Sequence, residues 1–241
     1  MYPGPVPACT PRQKQAILAR VALFRELGPG ALADLGSVAR SLTLPSREEL
    51  FHRGDPGSQV YVVVSGRLKA FTTSDAGDDV VFDILKPGDV LGEVALLSEG
   101  PRTATVVTLD PCELLAVDRR DFLDFLRRHP ELALQLLRIL AARLRHMSEL
   151  VEDTLFLNLP LRLAKKLASL AQSCGEATPE GVRIDLKLSQ EEWGDLVGAT
   201  RESVNKQMRS WVDEGLISLD RGFVTIHHLE ELERLASPGL A

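Results

Sequence analysis

The pattern of apolar and polar positions changes character three times along the chain. From Ser46 to Val117, β-branched runs such as "VYVVV", "LKAF", "VVFDIL", "TATVVTL" and "CELLAV" alternate with turn-forming clusters. Those clusters are "RGDPGS", "SG", "SDAGD", "KPGD", "SEGP" and "DP". Short strands punctuated in this way predict an antiparallel sandwich or barrel. The Ala- and Leu-rich segment from Gln13 to Leu42 predicts helices packed before it. The second rhythm is helical. "RRDFLDFLRRHP" predicts a short helix ending near Pro130, where a longer one begins. Along that longer helix Ala133, Leu137, Leu140, Leu144, Met147, Val151 and Thr154 fall on a heptad repeat, which predicts a dimer seam. The alternative is an amphipathic helix laid on its own barrel. The pattern breaks at Asn158-Leu159-Pro160, a domain boundary.

The third rhythm is a pair of short helices. Ser189 followed by Glu192 reads as a capping box, Gly198 interrupts, Thr200 caps a second helix, and Gly215 ends it. Val204, Met208 and Trp211 give the second helix one apolar face. Two helices joined by a tight glycine turn predict a helix-turn-helix. Beyond it, Asp220-Arg221-Gly222 lies between apolar runs, so "LISLDRGFVTI" predicts a hairpin wing. The second helix of such a motif presents its first turns to the major groove. Here that surface carries Arg201, Glu202, Asn205, Lys206 and Arg209, with Ser189 and Thr200 at the two helix starts. Arg201 and Lys206 can donate to guanine, and Glu202 can accept from cytosine N4. A solvated helix face is the plain alternative.

With 241 residues the chain can form one large domain or two ordinary ones. No apolar run is long enough to cross a bilayer, and "MYPGPVPACT" lacks the basic and apolar regions of a secretory signal. The expectation is a cytoplasmic protein with no membrane partner. Cys9, Cys112 and Cys174 are far apart and odd in number, which argues for reduced thiols rather than a disulfide framework or metal site. Adjacent His227 and His228 point to opposite faces of an extended segment. The net charge of −6 argues mildly against nucleic acid, although a small basic patch can sit on an acidic body. No nucleophile elbow, Walker loop or metal-spaced His cluster appears, so no catalytic residue and no metal ligand is assigned.

One stretch remains, "GEVALLSEGPRTATV", which sets Glu93 and Arg102 on either side of a Gly-Pro turn with Thr103 directly after the arginine. A surface ion pair flanking a hairpin is the plain reading. The sharper one is a receptor for a small anion that carries a hydroxyl. Together with "RGDPGSQVYVVVSGRLKAF", "LKPGDVLGEVALLSEGPRTATV", the long helix and "GATRESVNKQMRSWVDEGLI" with its wing, it resembles the cyclic-AMP receptor protein (CRP/FNR) family of bacterial transcription regulators.

The resemblance spans nearly the whole chain and implies an α+β protein. It would comprise a cyclic-nucleotide-binding β-roll with flanking helices over 13–129, a dimerisation helix over 130–157, and a winged helix-turn-helix domain over 158–241. It implies a cyclic phosphate on Arg102 and Thr103, and a ribose hydroxyl on Glu93 beside the backbone of Gly92. A guanidinium fork suits a phosphate, and a buried carboxylate suits a sugar hydroxyl. Met147 and Ser148 stand where the cAMP-binding members offer a threonine and a serine to the adenine, and Met147 cannot donate. Lys206 stands where an arginine is familiar, reducing a bidentate contact to one point. The implied effector is 3′,5′-cyclic AMP, with no covalent cofactor. The implied partners are a palindromic double-stranded operator, a second copy of the chain, and RNA polymerase. A cyclic dinucleotide, or activity with no ligand, is the alternative within the family. A phosphodiester-acting enzyme is a distant one, since no general base or metal ligand accompanies Glu93 and Arg102.

Overall fold

The computed structural model describes residues 10–236, so Cys9 lies outside the described residues. The chain forms two compact units: residues up to Thr72 with Phe82–His146, and Thr73–Val81 with Met147 onward.

The first unit opens with α1 (Pro11–Leu18), started by a capping box of Thr10 and Gln13. A 3-10 turn (Ala22–Phe24) and α2 (Pro29–Val38) follow. Eight strands come next: β1 (Arg40–Leu44), β2 (Glu49–Phe51), β3 (Gln59–Ser65), β4 (Leu68–Thr73), β5 (Asp79–Leu85), β6 (Val90–Leu91), β7 (Thr105–Thr108) and β8 (Cys112–Asp118). Helix α3 (Glu93–Ser98) is inserted between β6 and β7. β1 begins at Arg40, so the expected helical segment ends earlier than Leu42; the alternation Leu42, Leu44 faces the core and carries the strand. The strands form two antiparallel sheets, ordered β1-β8-β3-β6 and β2-β7-β4-β5.

β3 explains the continuous "VYVVV" run. Tyr61 and Val63 pack inward with Leu114, Ala116, Leu68, Leu85 and Val106 between the sheets. Val60 and Val62 point the other way, into a second core with Leu18, Phe24, Leu35, Phe122, Phe125, Leu132 and Leu136. A strand buried on both faces loses polar alternation. That second core fixes α4 (Arg119–Arg128) and the start of α5 (Glu131–Phe156) against the sheet.

Helix α5 exposes five of the seven expected seam positions, Ala133, Leu137, Leu144, Val151 and Thr154. Leu137, Leu144 and Val151 are 61%, 70% and 54% exposed, but Leu140 packs on the core of its own unit and Met147 is half-buried. An exposed apolar row beside it runs through Leu134, Leu137, Ala141, Leu144, Val151 and Leu155. The heptad period is the same, but one of its two rows is displaced by a residue. The displacement arises because the face bearing Leu136, Ile139 and Leu140 is taken up by the barrel side. Among the described residues no helix is long and apolar enough to cross a membrane.

The second unit holds α6 (Leu159–Cys174), β9 (Gly175–Thr178), β10 (Gly181–Ile184), α7 (Gln190–Val197), α8 (Arg201–Asp213), β11 (Ile217–Asp220), β12 (Phe223–Ile226) and α9 (Leu229–Ala236). Asn158 caps α6 by accepting from the Leu161 amide at 3.2 Å. α6 buries Leu163, Ala164, Leu167, Ala168, Leu170 and Ala171. The wing pair β11–β12 is extended by β10 and β9 into a four-stranded sheet ordered β11-β12-β10-β9.

Candidate functional site

Arg102 is fixed first by its backbone. Its amide donates to the Asp55 carbonyl at 2.8 Å, and its carbonyl accepts from the Gly54 amide at 2.9 Å. The side chain is 4% exposed. Its Nη1 donates to the Gly92 carbonyl at 3.0 Å and its Nη2 to the Gln59 carbonyl at 2.8 Å. The guanidinium lies over the rings of Phe51 and Tyr61, 4.2 Å and 5.6 Å from their centroids. Burial pulls it below the ordinary arginine range, against the raising influence of Tyr61, Glu93 and Asp55. Burial likewise raises the Tyr61 hydroxyl. An arginine so placed remains charged.

Gly92 makes this approach feasible. Its φ is +84°, a left-handed value that favours glycine, and it follows β6 where α3 begins. A Cβ there would sit 2.4 Å from Arg102 Nη1 and 2.9 Å from the Gln59 carbonyl oxygen. Glu93, the first residue of α3, is 1% exposed. One of its oxygens pairs with Arg143 Nη1, a residue of α5, and Arg143 Nη2 donates to the Val90 carbonyl at 2.5 Å.

The site therefore holds one carboxylate between two guanidinium groups in a largely dry setting. Two of its polar atoms are buried without a partner: Glu93 Oε2 and Arg102 Nε. Leaving such groups unmatched costs about 1–3 kcal/mol each, more when the group is charged. The arrangement suits a ligand that brings a hydroxyl donor to the carboxylate and an anionic acceptor to the arginine. Thr103 is exposed and directly follows Arg102. Met147 is half-buried and Ser148 exposed, on α5 one helical turn beyond Arg143.

Arg143 is a site residue that sequence reasoning does not single out. Its signal is a cation on the barrel-facing side of α5, one turn after Ile139 and close to Leu140 in sequence, but the expected seam covers that face. Arg143 also borders a cavity of about 300 Å³ lined by Asp83, Asp89 and His146. Burial raises the Asp89 carboxyl above its ordinary value.

In the second unit, the Ser189 hydroxyl accepts from the Glu192 amide at 3.2 Å, and the Ser189 amide donates to Glu192 Oε2 at 2.8 Å. Its hydroxyl thus starts α7. The turn to α8 is tight: a Cβ on Gly194 would lie 2.5 Å from the Ala199 carbonyl oxygen. Gly198 has φ +63°. Thr200 caps α8 by accepting from the Ser203 amide at 3.3 Å. Val204, Met208 and Trp211 are buried, which turns Arg201, Glu202, Lys206 and Arg209 to solvent, with Asn205 half-buried. These five side chains make no hydrogen bond or ion pair among the described residues, so their donors and acceptors face outward together. The acidic chain thus concentrates cations on the outer face of α8.

Residues 41–129 match the cyclic nucleotide-binding domain family, and residues 161–235 match the Crp-like helix-turn-helix domain. The chain is 34% identical over 220 residues to the CRP-like cAMP-activated global transcriptional regulator of Mycobacterium tuberculosis, covering 91% of this chain and 98% of that one. It is 31% identical over 214 residues to the cyclic AMP receptor protein of Thermus thermophilus, covering 89% and 96%. Its fold is similar to that of the c-di-GMP responsive global regulator CLP of Xanthomonas campestris, with a TM-score of 0.75, 22% identity, and 83% and 99% coverage.

Proposed function

Because this chain belongs to the cyclic-AMP receptor protein (CRP/FNR) family of ligand-responsive bacterial transcription regulators, we propose that cyclic AMP, bound at Gly92, Glu93, Arg102 and Thr103, controls its binding to DNA as a homodimer. The observation that carries this reading is the unmatched pair in the pocket, an acceptor at Glu93 Oε2 and a donor at Arg102 Nε. A cyclic nucleotide brings the two complementary groups on one rigid body: a ribose hydroxyl for Glu93 and a phosphate for Arg102. Two relatives above 30% identity are named for cyclic AMP, which favours this nucleotide over others.

On the DNA side, Arg201 and Lys206 of α8 read guanines and Glu202 the pairing cytosine, with Arg209 and Asn205 completing the face. Two copies joined along the exposed row Leu134, Leu137, Leu144, Val151 and Leu155 would present two such helices to a palindrome, one helical turn apart. A ligand shifts the binding-competent arrangement only by its differential affinity for the two arrangements. Arg143 supplies a physical link for that difference, since it joins Glu93 to α5.

Met147 supports a second reading. Its thioether cannot donate to a base, so a cyclic dinucleotide with other base contacts would take the same phosphate and ribose partners. Calorimetry against cAMP, cGMP and cyclic di-GMP tests the assignment. Saturable binding of cAMP in preference to the other two is expected. Binding of cyclic di-GMP alone would install the second reading, and binding of none would remove the effector assignment.

A further inference from the structure

Helix α3 carries Glu93 at its start and ends against the local preference of its backbone. Its closing residue, Glu99, has φ +57°, in the left-handed region where helix ends favour glycine. Gly100 stands one residue too late to take that position. The glutamate side chain is put to use instead: Glu99 Oε1 accepts from Arg119 Nη2 at 2.6 Å. Arg119 Nε donates to the Leu96 carbonyl at 3.1 Å, one of the carbonyls that the end of a helix leaves without an internal partner. One guanidinium thus holds the last turn of α3 at two points.

Arg119 is itself anchored to the strand that holds Arg102. Its amide donates to the Ser58 carbonyl at 2.8 Å. The residue before it, Asp118, accepts from the Gln59 side chain at 2.8 Å and from Arg40 at 2.7 Å. The Gln59 carbonyl accepts in turn from Arg102 Nη2. One side of α3 packs closely, since a Cβ on Gly57 would lie 2.5 Å from Ala95 Cβ. Next to that contact runs a cleft of about 370 Å³ lined by Gly54, Pro56, Ala95, Glu99, Pro101 and Arg119. Apolar packing therefore does not fill the side of α3 on which Arg119 and Glu99 meet. Their side chains are 36% and 77% exposed, and an ion pair that exposed adds little to stability. What it supplies is geometry.

On the cyclic-nucleotide reading given above, we propose that Arg119 is a positioning residue for the ligand site, which fixes α3 so that Glu93 stands at the spacing from Arg102 that one nucleotide needs. A cyclic nucleotide is rigid. Its ribose hydroxyl and its phosphate meet Glu93 and Arg102 together only when the protein holds those two groups in register beforehand. Helix α3 has six residues, under two turns, so fixing its last turn fixes its first residue. Arg102 needs no such help, because its own backbone and its two carbonyl partners hold it. Arg119 therefore acts on the ribose end of the ligand and spares the phosphate end. The planar fork of arginine suits this double contact, which a lysine ammonium would make at one point.

The variant Arg119→Met keeps the unbranched stem and removes both donors. Its urea midpoint should stay close to that of wild type. Hydrogen exchange of the ligand-free chain, read by mass spectrometry on the peptide spanning α3, should be about tenfold faster than in wild type. Calorimetry should compare cyclic AMP with 2′-deoxy cyclic AMP, which lacks the hydroxyl assigned to Glu93. Wild type should prefer cyclic AMP, and the variant should lose about five- to tenfold on it and little on the deoxy analogue. Glu99→Gly removes the carboxylate but suits the left-handed backbone, so its urea midpoint should hold or rise while the preference narrows. An equal loss on both nucleotides, an undiminished preference in Arg119→Met, or unchanged exchange in α3 would overturn the proposal. So would urea midpoints that fall in step with the preference in both variants, which would make the pair an ordinary structural contact. A wild type that binds neither nucleotide would remove the effector assignment. The exchange of α3 in the ligand-free chain would then decide the role of Arg119 by itself, faster exchange upholding it and unchanged exchange overturning it.

Discussion

Replacing Gly92 by alanine tests the geometry of the pocket through a single methyl group. Two separate penalties can be worked from the structure. The first is conformational: at φ +84° an L-residue with a Cβ costs about 1–2 kcal/mol. The second is steric: the new carbon would lie 2.4 Å from Arg102 Nη1 and 2.9 Å from the Gln59 carbonyl oxygen. Backbone lines one side of that clash, so the guanidinium must move. Movement weakens its hydrogen bonds to the Gly92 and Gln59 carbonyls, each a bond to a charged group worth about 1.5–3 kcal/mol. Partial retention of those bonds leaves an expected loss of about 2–4 kcal/mol in stability for the first unit. Displacement of the phosphate-binding group should also weaken cyclic AMP at least tenfold, about 1.4 kcal/mol. Urea unfolding followed by far-ultraviolet circular dichroism gives the first quantity, and calorimetry at a temperature where the variant is folded gives the second. A variant that unfolds like wild type and binds cyclic AMP with unchanged affinity would refute the close approach of Arg102 to Gly92.

Arg143→Leu should strand the Glu93 carboxylate, which is 1% exposed, and cost about 2–4 kcal/mol in urea unfolding; a loss below about 1 kcal/mol would show that the pair is dispensable. Leu144→Asp and Leu140→Asp should part company: the first, at a residue 70% exposed, should sediment as a folded monomer, whereas the second should unfold the unit whose core it joins. A dimeric Leu144→Asp would place the subunit contact elsewhere. Asp89 has a raised pKa in the folded chain, so the folded state favours its protonated form, and its contribution to stability falls as pH rises through that raised value. Asp89→Asn, which can still accept from the Lys86 amide, should therefore gain stability relative to wild type as pH rises out of the ordinary aspartate range and through the raised value, in parallel unfolding series. A difference that is constant with pH, or grows the other way, contradicts the burial of that carboxyl.

Local chemistry is the most legible part of the chain. Ser189 with Glu192, and Thr200 with Ser203, satisfy orphan helix amides whose partners lie three residues away, so sequence spacing suffices to place them. The turn glycines are equally readable, because Gly92, Gly198, Gly215 and Gly222 all occupy the left-handed region that favours glycine. The β-roll is visible through its turn clusters, yet "VYVVV" cannot reveal which residues face which core, since both faces are buried. What depends on distant packing is not legible. The choice between Leu140 and Ala141 for the exposed row is made by the barrel against which α5 lies, and a heptad period alone is blind to it. Arg143 reaches Glu93 across 50 positions of sequence, and no local pattern announces such a contact. The hairpin β9–β10 carries little signal because "GEATPEGVRI" is short and polar, and its strands gain their order by joining the wing through β10–β12 pairing.

The most direct measurement of the central claim is the affinity of the full chain for a palindromic operator, recovered by selection, with and without cyclic AMP, in wild type and in Arg102→Leu. Cyclic AMP is expected to tighten the wild-type complex by about tenfold or more. The variant, folded but lacking its phosphate partner, should bind the same operator at the ligand-free level under both conditions. Equal affinities of the wild type with and without cyclic AMP, or a variant that still responds to it, would contradict the claim that this nucleotide acts through Arg102.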